Sequence, residues 1–289
     1  MEVLIYINGE LVPRGEARIS PFDRGILYGY GLFETMRSYG GCVFSLDRHL
    51  ARLMHSADKI GLDVGLDPAA LRQAIHKTLE ANELMDARIR LTVTAGEGER
   101  GLAPPTSGML TIMVVAEELV PPPPKAYEDG IRAFVVSVRR NSQSPLSGIK
   151  SIGYLDNLLA HSEAVAAGAD EAILLNEQGF VAECSTSNIF LVVEGRLLTP
   201  SAESGILLGV TREVVLELAL NLGIAVEEEE IPLAQLLRAN EAFLTNSVVE
   251  VMPIAEVDGK PIGTGKPGEV TKRLMAAYRE LVLQQANHS

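Results

Sequence analysis

Near its middle the chain reads Ser147-Gly148-Ile149-Lys150-Ser151-Ile152-Gly153-Tyr154, and Lys150 stands out within this segment. Seven lysines occur in the chain, and the other six lie on polar helix faces, after a proline run or in turns. Lys150 alone is bracketed by isoleucines and small residues. An apolar surround disfavours the charged form of an amine, and a neutral amine is the nucleophile that forms Schiff bases. We therefore identify Lys150 as a candidate anchor for an aldehyde cofactor. The alternative is a lysine at a strand end whose amine reaches solvent.

Glu183 is the carboxylate that would serve the same cofactor. It closes an apolar strand pattern, and Ser185-Thr186-Ser187-Asn188 follows with side chains that form hydrogen bonds. A cofactor such as pyridoxal phosphate needs an acid for its pyridine nitrogen and donors for its phosphate, besides the lysine. Glu183 would hold the pyridinium proton and keep the ring an effective electron sink. The alternative for Glu183 is a strand-end carboxylate in solvent.

Two segments are candidates for binding the phosphate. Gly209-Val210-Thr211-Arg212 precedes a helical pattern, so its backbone amides and the Thr211 hydroxyl lie at a helix N-terminus, where anions are favoured. Thr245-Asn246-Ser247 offers a second turn rich in hydroxyl groups. The alternative for both segments is ordinary capping of a helix or turn.

The composition limits the possible partners. The 289 residues are 47% hydrophobic and 22% charged, as in an ordinary globular protein of about two domains. A net charge of −13 disfavours nucleic acids and anionic membranes, and no apolar run approaches membrane length. Cys42 and Cys184 lie far apart, which predicts a reducing compartment without disulfides. The five histidines show no ligand spacing, so no metal site is expected.

One motif is rejected. Gly96-Glu97-Gly98-Glu99-Arg100-Gly101 has the letters of the dinucleotide motif G-x-G-x-x-G and follows a strand pattern. Two glutamates would face the pyrophosphate, and Pro104-Pro105 prevents a helix from opening after the glycines. We interpret the segment as a loop, with Arg100 at its tip as a candidate for binding a substrate carboxylate.

A run of four prolines, Pro121 to Pro124, divides the chain. Consecutive prolines form a stiff extended spacer. We predict a small N-terminal α/β domain over residues 1–120, a linker over 121–125, and a larger mixed α+β domain over 126–289, because its strands cluster. Helices are predicted at 46–60, from Pro68, and at 155–167, 212–222 and 270–284; strands are predicted at 88–94, 109–116, 133–138, 171–175, 180–184, 188–193 and 242–245.

Further motifs accompany these candidates along nearly the whole chain. The set comprises Lys150 with Tyr154, Glu183 before Ser-Thr-Ser-Asn-Ile-Phe, Gly209-Val210-Thr211-Arg212, Thr245-Asn246-Ser247 before Pro253, Asp23-Arg24-Gly25, Tyr28-Gly29-Tyr30-Gly31-Leu32-Phe33-Glu34-Thr35, and His49-Leu50-Ala51-Arg52-Leu53. Together they resemble the class IV (fold type IV) pyridoxal-phosphate enzymes, in that family's order. The family contains branched-chain aminotransferases, D-amino-acid aminotransferases and aminodeoxychorismate lyases. The resemblance implies a two-domain α+β fold of type IV.

The resemblance also implies roles for individual residues. Lys150 would carry the internal aldimine and shuttle a proton between the substrate Cα and the cofactor C4′. Glu183 would pair with the pyridine nitrogen, and Arg52 would reach the phosphate from the N-terminal domain. Tyr154 would hydrogen-bond the phenolic oxygen, although it follows the lysine by four residues where the branched-chain pattern has five. The cofactor-binding set would be Arg52, Lys150, Tyr154, Glu183, Val210, Thr211, Asn246 and Ser247.

Substrate binding is expected at Phe33, Arg37, Arg90 and Arg100. Arg37 and Arg90 fall where branched-chain enzymes have arginines, and Arg100 matches a carboxylate-binding arginine of D-amino-acid aminotransferases. Those enzymes carry a histidine two residues later, where this chain has Leu102. The segments Phe33-Glu34-Thr35, Arg139-Arg140-Asn141 and Ser144 to Lys150 also look like certain bacterial aminodeoxychorismate lyases.

The resemblance predicts a pyridoxal 5'-phosphate-dependent aminotransferase. It would move an amino group between an amino acid, branched-chain or D-type, and a 2-keto acid. The alternative is a 4-amino-4-deoxychorismate lyase that releases pyruvate and 4-aminobenzoate. A cytoplasmic homodimer is expected, with small-molecule partners and neither nucleic acid nor membrane. A binding protein with a dead site would have lost the lysine or the phosphate segments, and both are present.

Overall fold

The structure is a computed structural model that describes residues 2–62, 65–98, 101–102 and 109–288. The chain forms two compact units. The first consists of Met1–Val120, Ile149–Gly153 and Val282–Ser289, and the second of Pro121–Gly148 and Tyr154–Leu281.

The first unit is built on an antiparallel sheet with two long helices. Its elements are β1 (Leu4–Ile7), β2 (Glu10–Pro13), α1 (Arg24–Tyr28), β3 (Gly31–Tyr39), β4 (Cys42–Val43), α2 (Leu46–Ile60), α3 (Pro68–Ala81), β5 (Ala87–Thr94) and β6 (Thr111–Glu118). The strands pair in the order β2-β1-β6-β5-β3-β4. Helix α2 packs on β3, and α3 packs on β1 and β6, so the core of this unit lies where the helices meet the sheet.

The two helices predicted for this unit are confirmed. In α2, Leu50, Leu53 and Ala57 are buried at helical spacing, and the helix ends at Gly61 with a φ of +68°. Helix α3 begins as predicted, because the Asp67 side chain accepts a hydrogen bond from Ala69 N. Strand β6 begins at Thr111, two residues later than predicted.

The segment that contains the singled-out lysine runs along β3 in the first unit. Leu32 and Ser151 form an isolated antiparallel bridge. Ile149, two residues before this bridge, is buried in the core of the first unit. Residues 149–153 therefore cluster with the first unit, although they lie inside the predicted range 126–289.

The second unit contains a long mixed sheet. Its elements are α4 (Pro124–Asp129), β7 (Ile131–Arg140), α5 (Leu155–Ala166), β8 (Glu171–Asn176), β9 (Phe180–Cys184), β10 (Asn188–Val193), β11 (Arg196–Pro200), a 3-10 turn (Ala202–Ser204), α6 (Val210–Asn221), β12 (Val226–Glu229), β13 (Ile231–Pro232), α7 (Leu233–Leu236), β14 (Glu241–Asn246), β15 (Glu250–Val257), β16 (Lys260–Pro261) and α8 (Glu269–His288). The strands follow the order β12-β11-β10-β14-β15-β7-β8-β9-β13, with β16 beside β15. Strand β7 pairs in parallel with β15 and β8, and most other pairs are antiparallel. The predicted α+β class is thus confirmed.

The proline run ends in a helix. Pro123 has φ and ψ of −59° and 142°, the extended conformation expected of a proline spacer. Helix α4 already begins at Pro124, because proline at the first helical position sacrifices no hydrogen bond. The extended part of the linker is therefore one residue shorter than the proline run.

Candidate active site

Lys150 lies half-buried beside β3 in the first unit. Its backbone oxygen accepts a hydrogen bond from Phe33 N at 3.0 Å, and Ile152 N donates to Gly31 O at 3.0 Å. The Lys150 Nζ lies 4.5 Å from the centroid of the Phe33 ring. The backbone of the lysine is thus anchored to the same strand that supplies the aromatic face against its amine.

Arg90 shares the Phe33 ring with Lys150. In the β3–β5 register Phe33 lies opposite Thr92 and Thr35 lies opposite Arg90, so Arg90 is diagonal to Phe33 on one face of the sheet. Its Cζ lies 3.8 Å from the ring centroid. Lys150 Nζ and Arg90 Cζ are therefore at most 8.3 Å apart, since they lie 4.5 and 3.8 Å from one point. A negatively charged group bound by Arg90 would lie close to the amine.

The two other predicted substrate arginines are Arg37 and Arg100. Arg37 lies four residues along β3 from Phe33, and its Cζ is 4.3 Å from the centroid of the Tyr39 ring. Arg100 lies outside the described residues. Among the three arginines, Arg90 is the one that the described contacts bring to the ring beside Lys150.

Glu34 forms a buried cluster with two residues of α2. Arg52 Nε donates to Glu34 Oε1 at 2.8 Å, and Arg52 Nη2 donates to Glu34 Oε2 at 2.6 Å. His49 Nδ1 lies 2.8 Å from Oε2. Glu34 and His49 are each 1% exposed. Because His49 and Arg52 are three residues apart, they share one face of α2. Glu34 binds the Arg52 guanidinium in a bidentate ion pair.

The protonation states of this cluster follow from its contacts. Burial alone raises the pKa of Glu34, but the Arg52 charge and the hydrogen bonds from His49 and Arg52 outweigh it and lower that pKa to about 2. Burial lowers the pKa of His49 below its usual 6.5; Glu34 opposes this shift, whereas the charges of Arg52 and Lys150 add to it. Glu34 is therefore an anion near neutral pH. Since an ionised carboxylate only accepts, His49 Nδ1 carries the proton in their hydrogen bond.

In the second unit, Glu183 is buried at the end of β9. Its Oε2 accepts a hydrogen bond from Leu207 N at 2.9 Å. Its Oε1 lies 3.0 Å from Arg140 Nη2, in an ion pair whose side chains are 8% and 18% exposed. Glu183 is thus a carboxylate held from both oxygens, and not the solvated strand-end residue of the alternative interpretation.

The N-terminus of α6 has no capping side chain. Its N-cap residue is Gly209, which has no side chain to cap the first amides, and Val210 and Thr211 are buried. A Cβ on residue 209 would lie 2.1 Å from Asn188 Oδ1, so glycine alone fits there. The helix begins two residues earlier than predicted, which puts Val210 and Thr211 in its first turn.

Hydrogen bonds of the Asn246 side chain stabilise the turn after β14. Its Nδ2 donates to Ser187 Oγ at 2.9 Å, and its Oδ1 accepts from Val248 N and Val249 N at 2.9 Å. These bonds make Asn246 the residue that shapes the turn in which Ser247 lies. The Asn246 side chain is therefore engaged with the protein itself.

Tyr154 occupies the N-cap position of α5 and is half-buried. Its backbone oxygen accepts a hydrogen bond from Leu158 N at 3.1 Å, as in a regular first helical turn. Three residues on, Asn157 Nδ2 donates to Ser185 O at 2.7 Å, which ties the start of α5 to the loop after Glu183.

A second buried carboxylate supports the loop after Glu183. Glu171 Oε1 accepts hydrogen bonds from Ala172 N at 2.8 Å and from Ser185 N at 3.2 Å, and it also contacts Ser185 Oγ. Burial raises the pKa of Glu171, while the bonds from Ser185 and Ala172 and the charge of His161 oppose the rise. Glu171 thus fixes the polar segment that follows the candidate pyridine partner.

The sequence motifs contain Glu34, His49 and Arg140 but predict no supporting role for them, and Glu171 lies in none of the motifs. His49 interrupts the apolar stripe of α2 three residues before Arg52, and that pattern was available as a signal. Arg140 stands beside a second arginine at the end of β7, and its ion pair with Glu183 distinguishes it from Arg139. Glu171 begins a strand and looks like an ordinary strand-end carboxylate.

Within the described residues, no helix is long and apolar enough to cross a membrane. In the same part of the chain, no group of three or more histidine, cysteine, aspartate or glutamate side chains is arranged to hold a metal ion. Cys42 and Cys184 are both thiols that are not joined in a disulfide. Burial raises the pKa of Cys184 well above its usual value, with the nearby Glu171 and Glu183 charges adding to the rise.

Comparison with known proteins gives consistent results. The family model described as Amino-transferase class IV matches residues 31–257. A putative branched-chain-amino-acid aminotransferase of Methanocaldococcus jannaschii is 44% identical over 278 residues, 96% of each chain. The aminodeoxychorismate lyase of Bacillus subtilis is 35% identical over 96% of this chain and 94% of its own length. The solved T.th. branched-chain amino acid aminotransferase with pyridoxamine 5'-phosphate superposes with a TM-score of 0.93, at 34% identity, over 99% of this chain and 95% of that chain.

Proposed function

The chain belongs to the class IV aminotransferase family, and from that premise we propose that it is a pyridoxal 5'-phosphate-dependent aminotransferase acting on branched-chain L-amino acids and 2-oxoglutarate. The observation that carries the proposal is the contact of Lys150 and Arg90 with the same Phe33 ring. A reactive amine within 8.3 Å of a guanidinium suits a substrate that carries an amino or keto group and, farther along, a second carboxylate.

The residues of the chain fit the cofactor. Lys150 offers the amine for its aldehyde, and Glu183 is a buried carboxylate for its pyridine nitrogen. The start of α6 offers backbone amides that no side chain caps, which suits a phosphate. When bound, the cofactor supplies an aldehyde for the substrate amine and an electron sink for the substrate Cα.

Each cofactor-binding residue has a defined task in this proposal. Glu183 would accept a hydrogen bond from the protonated pyridine nitrogen, and Arg52, oriented by Glu34, would contribute a charge to the phosphate site. Val210 and Thr211 donate to the phosphate from the first turn of α6. Ser247 adds a hydroxyl from the turn that Asn246 shapes. Tyr154 donates to the phenolic oxygen of the cofactor.

Lys150 also moves the proton during turnover. The Lys150 Nζ lies 4.5 Å from the centroid of the Phe33 ring and, when it is not bonded to the cofactor, would serve in turn as general base and general acid. It would take a proton from the substrate Cα and return one to the cofactor C4′. The buried Phe33 ring lies against one side of this amine.

Arg90 would bind the keto acid that accepts the amino group. 2-Oxoglutarate carries a second carboxylate, whereas branched-chain amino acids carry an apolar side chain at the same place. The Arg90 guanidinium offers a charge for the second carboxylate. The Phe33 ring that it contacts offers an aromatic surface for the branched side chain. Arg37 is a further candidate on the same strand, and the role of Arg100 stays a prediction.

The second candidate is a 4-amino-4-deoxychorismate lyase. It is supported by the 35% identity to the Bacillus subtilis lyase over 96% of this chain. Its chemistry would use the same lysine and carboxylate but no keto-acid acceptor. The arginine near the amine serves a carboxylate in either reaction, so products must distinguish the two.

A half-reaction tests the proposal. The yellow holoenzyme is mixed with single amino acids, the L- and D-forms of leucine, alanine and glutamate, and the loss of the visible band is followed with the keto acid formed. We expect L-leucine and L-glutamate to convert the cofactor to its amine form, one keto acid per site. Conversion by D-alanine alone would assign a D-type enzyme. Release of pyruvate and 4-aminobenzoate from aminodeoxychorismate, without activity on amino acids, would assign the lyase.

We further propose that the protein is a cytoplasmic homodimer. Support comes from the family resemblance and from the thiols of Cys42 and Cys184, which suit a reducing compartment. Light scattering coupled to size-exclusion chromatography measures the assembly. A mass near twice the 31.1 kDa of the chain is expected, and a monomer with full activity would contradict the proposal.

A further inference from the structure

Arg140 ends strand β7 and reaches the carboxylate of Glu183. The Arg140 Nη2 lies 3.0 Å from Glu183 Oε1, and the two side chains are 18% and 8% exposed. Replacing a buried ion pair by apolar side chains is often neutral or stabilising, so stability alone does not explain a guanidinium at this position. We therefore look for the role of the ion pair in the chemistry of Glu183.

The same guanidinium joins two further segments of the second unit. Its Nη2 donates to Ser147 O at 3.0 Å, and its Nε donates to Gly205 O at 3.3 Å. Gly205 has a φ of +83°, and a Cβ there would lie 2.7 Å from the Ser142 Cα, so only glycine presents its carbonyl in this way. The fork of Arg140 is thus fixed by two carbonyl groups, one of them three residues before Lys150 in the chain.

The second oxygen of Glu183 is fixed independently. Its Oε2 accepts from Leu207 N at 2.9 Å, and the Leu207 carbonyl accepts from Asn188 Nδ2 at 2.7 Å. Each carboxylate oxygen can accept more than one hydrogen bond. Both carboxylate oxygens of Glu183 are therefore fixed in position, and the carboxylate can still accept a further hydrogen bond.

The charge state of this carboxylate decides what it does for a pyridine nitrogen. An ionised carboxylate stabilises a protonated nitrogen, whereas a neutral carboxyl group would donate to an unprotonated one. A guanidinium at 3.0 Å in a little-exposed setting favours the ionised carboxylate, because the attraction is only weakly screened there. The fork of an arginine also fixes direction in a way that a lysine amine does not.

We propose that Arg140 is a positioning residue that keeps Glu183 ionised and aimed, so that the pyridine nitrogen of the bound cofactor stays protonated. The inference deepens the proposed function and rests on it, because Glu183 is there the partner of that nitrogen. Arg140 itself touches neither substrate nor cofactor in this account.

The test reads the ring nitrogen directly. Holoenzyme is prepared with cofactor labelled with nitrogen-15 in the pyridine ring, and nuclear magnetic resonance reports whether that nitrogen carries a proton. Wild type, Arg140→Gln, Glu183→Gln and the double variant are compared. The control is Arg139→Gln, because Arg139 adjoins Arg140 and its guanidinium donates to the carbonyls of Val136 and Val138. Circular dichroism and cofactor titration of the apoprotein accompany each variant.

The expected result is that Arg140→Gln loses the protonated-nitrogen signal as Glu183→Gln does. Its kcat falls roughly tenfold to hundredfold, as for loss of one charge-assisted hydrogen bond, with a smaller change in KM. The double variant should show little further loss, because both changes act on one nitrogen. Should Arg140→Gln not fold, Arg140→Lys takes its place and is expected to give a kcat between wild type and Glu183→Gln.

Two failures are distinguishable. If Arg140→Gln, or Arg140→Lys in its place, matches the corresponding Arg139 variant in nitrogen signal and kcat while Glu183→Gln loses both, the inference about Arg140 is wrong and the proposed function stands. If wild type takes up no cofactor, the proposed function is wrong. If Glu183→Gln keeps the wild-type nitrogen signal, Glu183 is not the partner of that nitrogen, and the inference about Arg140 is wrong as well.

Discussion

Glu34 binds the Arg52 guanidinium with both carboxylate oxygens, in a cluster that is almost wholly buried. A cation held in this way can serve an anion without first losing side-chain freedom. The two residues should therefore act as a unit if Arg52 serves the cofactor phosphate. That dependence can be measured as an interaction energy between two substitutions.

We expect Arg52→Ala to weaken cofactor affinity roughly tenfold to hundredfold, as for one charge-assisted contact, with little effect on kcat at saturating cofactor. Glu34→Gln should weaken affinity less, because the arginine remains but is less well held. The double variant should bind no worse than Arg52→Ala. Titration of the apoprotein measures all three, with Lys59→Ala on an exposed position of α2 as the control. Additive losses would show that Glu34 and Arg52 act separately.

Arg90 is expected to select the dicarboxylate substrate. Arg90→Ala should raise the KM for 2-oxoglutarate roughly tenfold to hundredfold and change the KM for L-leucine far less, because leucine has no second carboxylate. Arg88→Ala is the matched control, since Arg88 points to the same face of β5 from an exposed position. Steady-state kinetics with each substrate decide the matter. Equal losses with both substrates, or a similar loss in Arg88→Ala, would contradict the assignment.

At the scale of elements, the start of α6 is shaped by a glycine. A Cβ at Gly209 would meet Asn188 Oδ1 at 2.1 Å, and Asn188 in turn holds the Leu207 carbonyl. Gly209→Ala should therefore displace the loop that reaches Glu183 and lower the free energy of unfolding by about 1–3 kcal/mol, the usual cost of an added group in a packed site.

Denaturant unfolding and cofactor titration check this expectation together. Gly15→Ala is the control, because the nearest atom to its new Cβ is 4.0 Å away and its backbone is not left-handed. We expect Gly209→Ala to lose both stability and cofactor affinity and the control to lose neither. Normal cofactor affinity in Gly209→Ala would place the phosphate elsewhere.

Several elements could be predicted from the sequence because their signals are local. The apolar spacing of α2 and the Asp67-Pro68 start of α3 are examples. Short strands such as β13 and β16, two residues each, carry no periodicity and were not predicted. Their pairing depends on neighbours distant in sequence.

In the candidate site, too, local motifs identify some residues, and others depend on partners distant in sequence. The residue types of Lys150, Glu183 and Arg52 and their local motifs identify them as candidates. Arg140 and Glu34 become meaningful only through ion pairs to partners 43 and 18 residues away. Their motifs are local, but a partner so distant in sequence is not, so the supporting role of these residues follows only from the structure.

At the scale of the whole molecule, the cluster of Glu34 and His49 predicts sensitivity to acid. The folded state lowers the pKa of Glu34 from 4.5 to about 2, so its stabilising contribution is present above pH 4.5 and is lost as the pH falls toward 2. The lowered pKa of His49 acts in the same direction, because below about pH 6.5 the unfolded chain takes up the proton first. For Glu34 the full effect is about 3 kcal/mol.

Urea unfolding of the holoenzyme between about pH 7 and pH 3 measures this dependence. Wild type should lose stability more steeply on acidification than Glu34→Gln, which has no carboxylate to protonate at this position. Glu80→Gln, at an exposed position of α3, is the control and should follow wild type. Parallel curves for wild type and Glu34→Gln would mean that Glu34 is not held as an anion.

The central claim is that Lys150 is the amine through which this chain transaminates. The most direct measurement is the half-reaction with L-leucine, followed by visible absorbance and by the keto acid released, in wild type and Lys150→Ala. Wild type is predicted to be yellow and to form one keto acid per site as the band disappears. Lys150→Ala is predicted to retain the cofactor without a covalent link and to form keto acid at a vanishing rate. Normal turnover by Lys150→Ala would contradict the account.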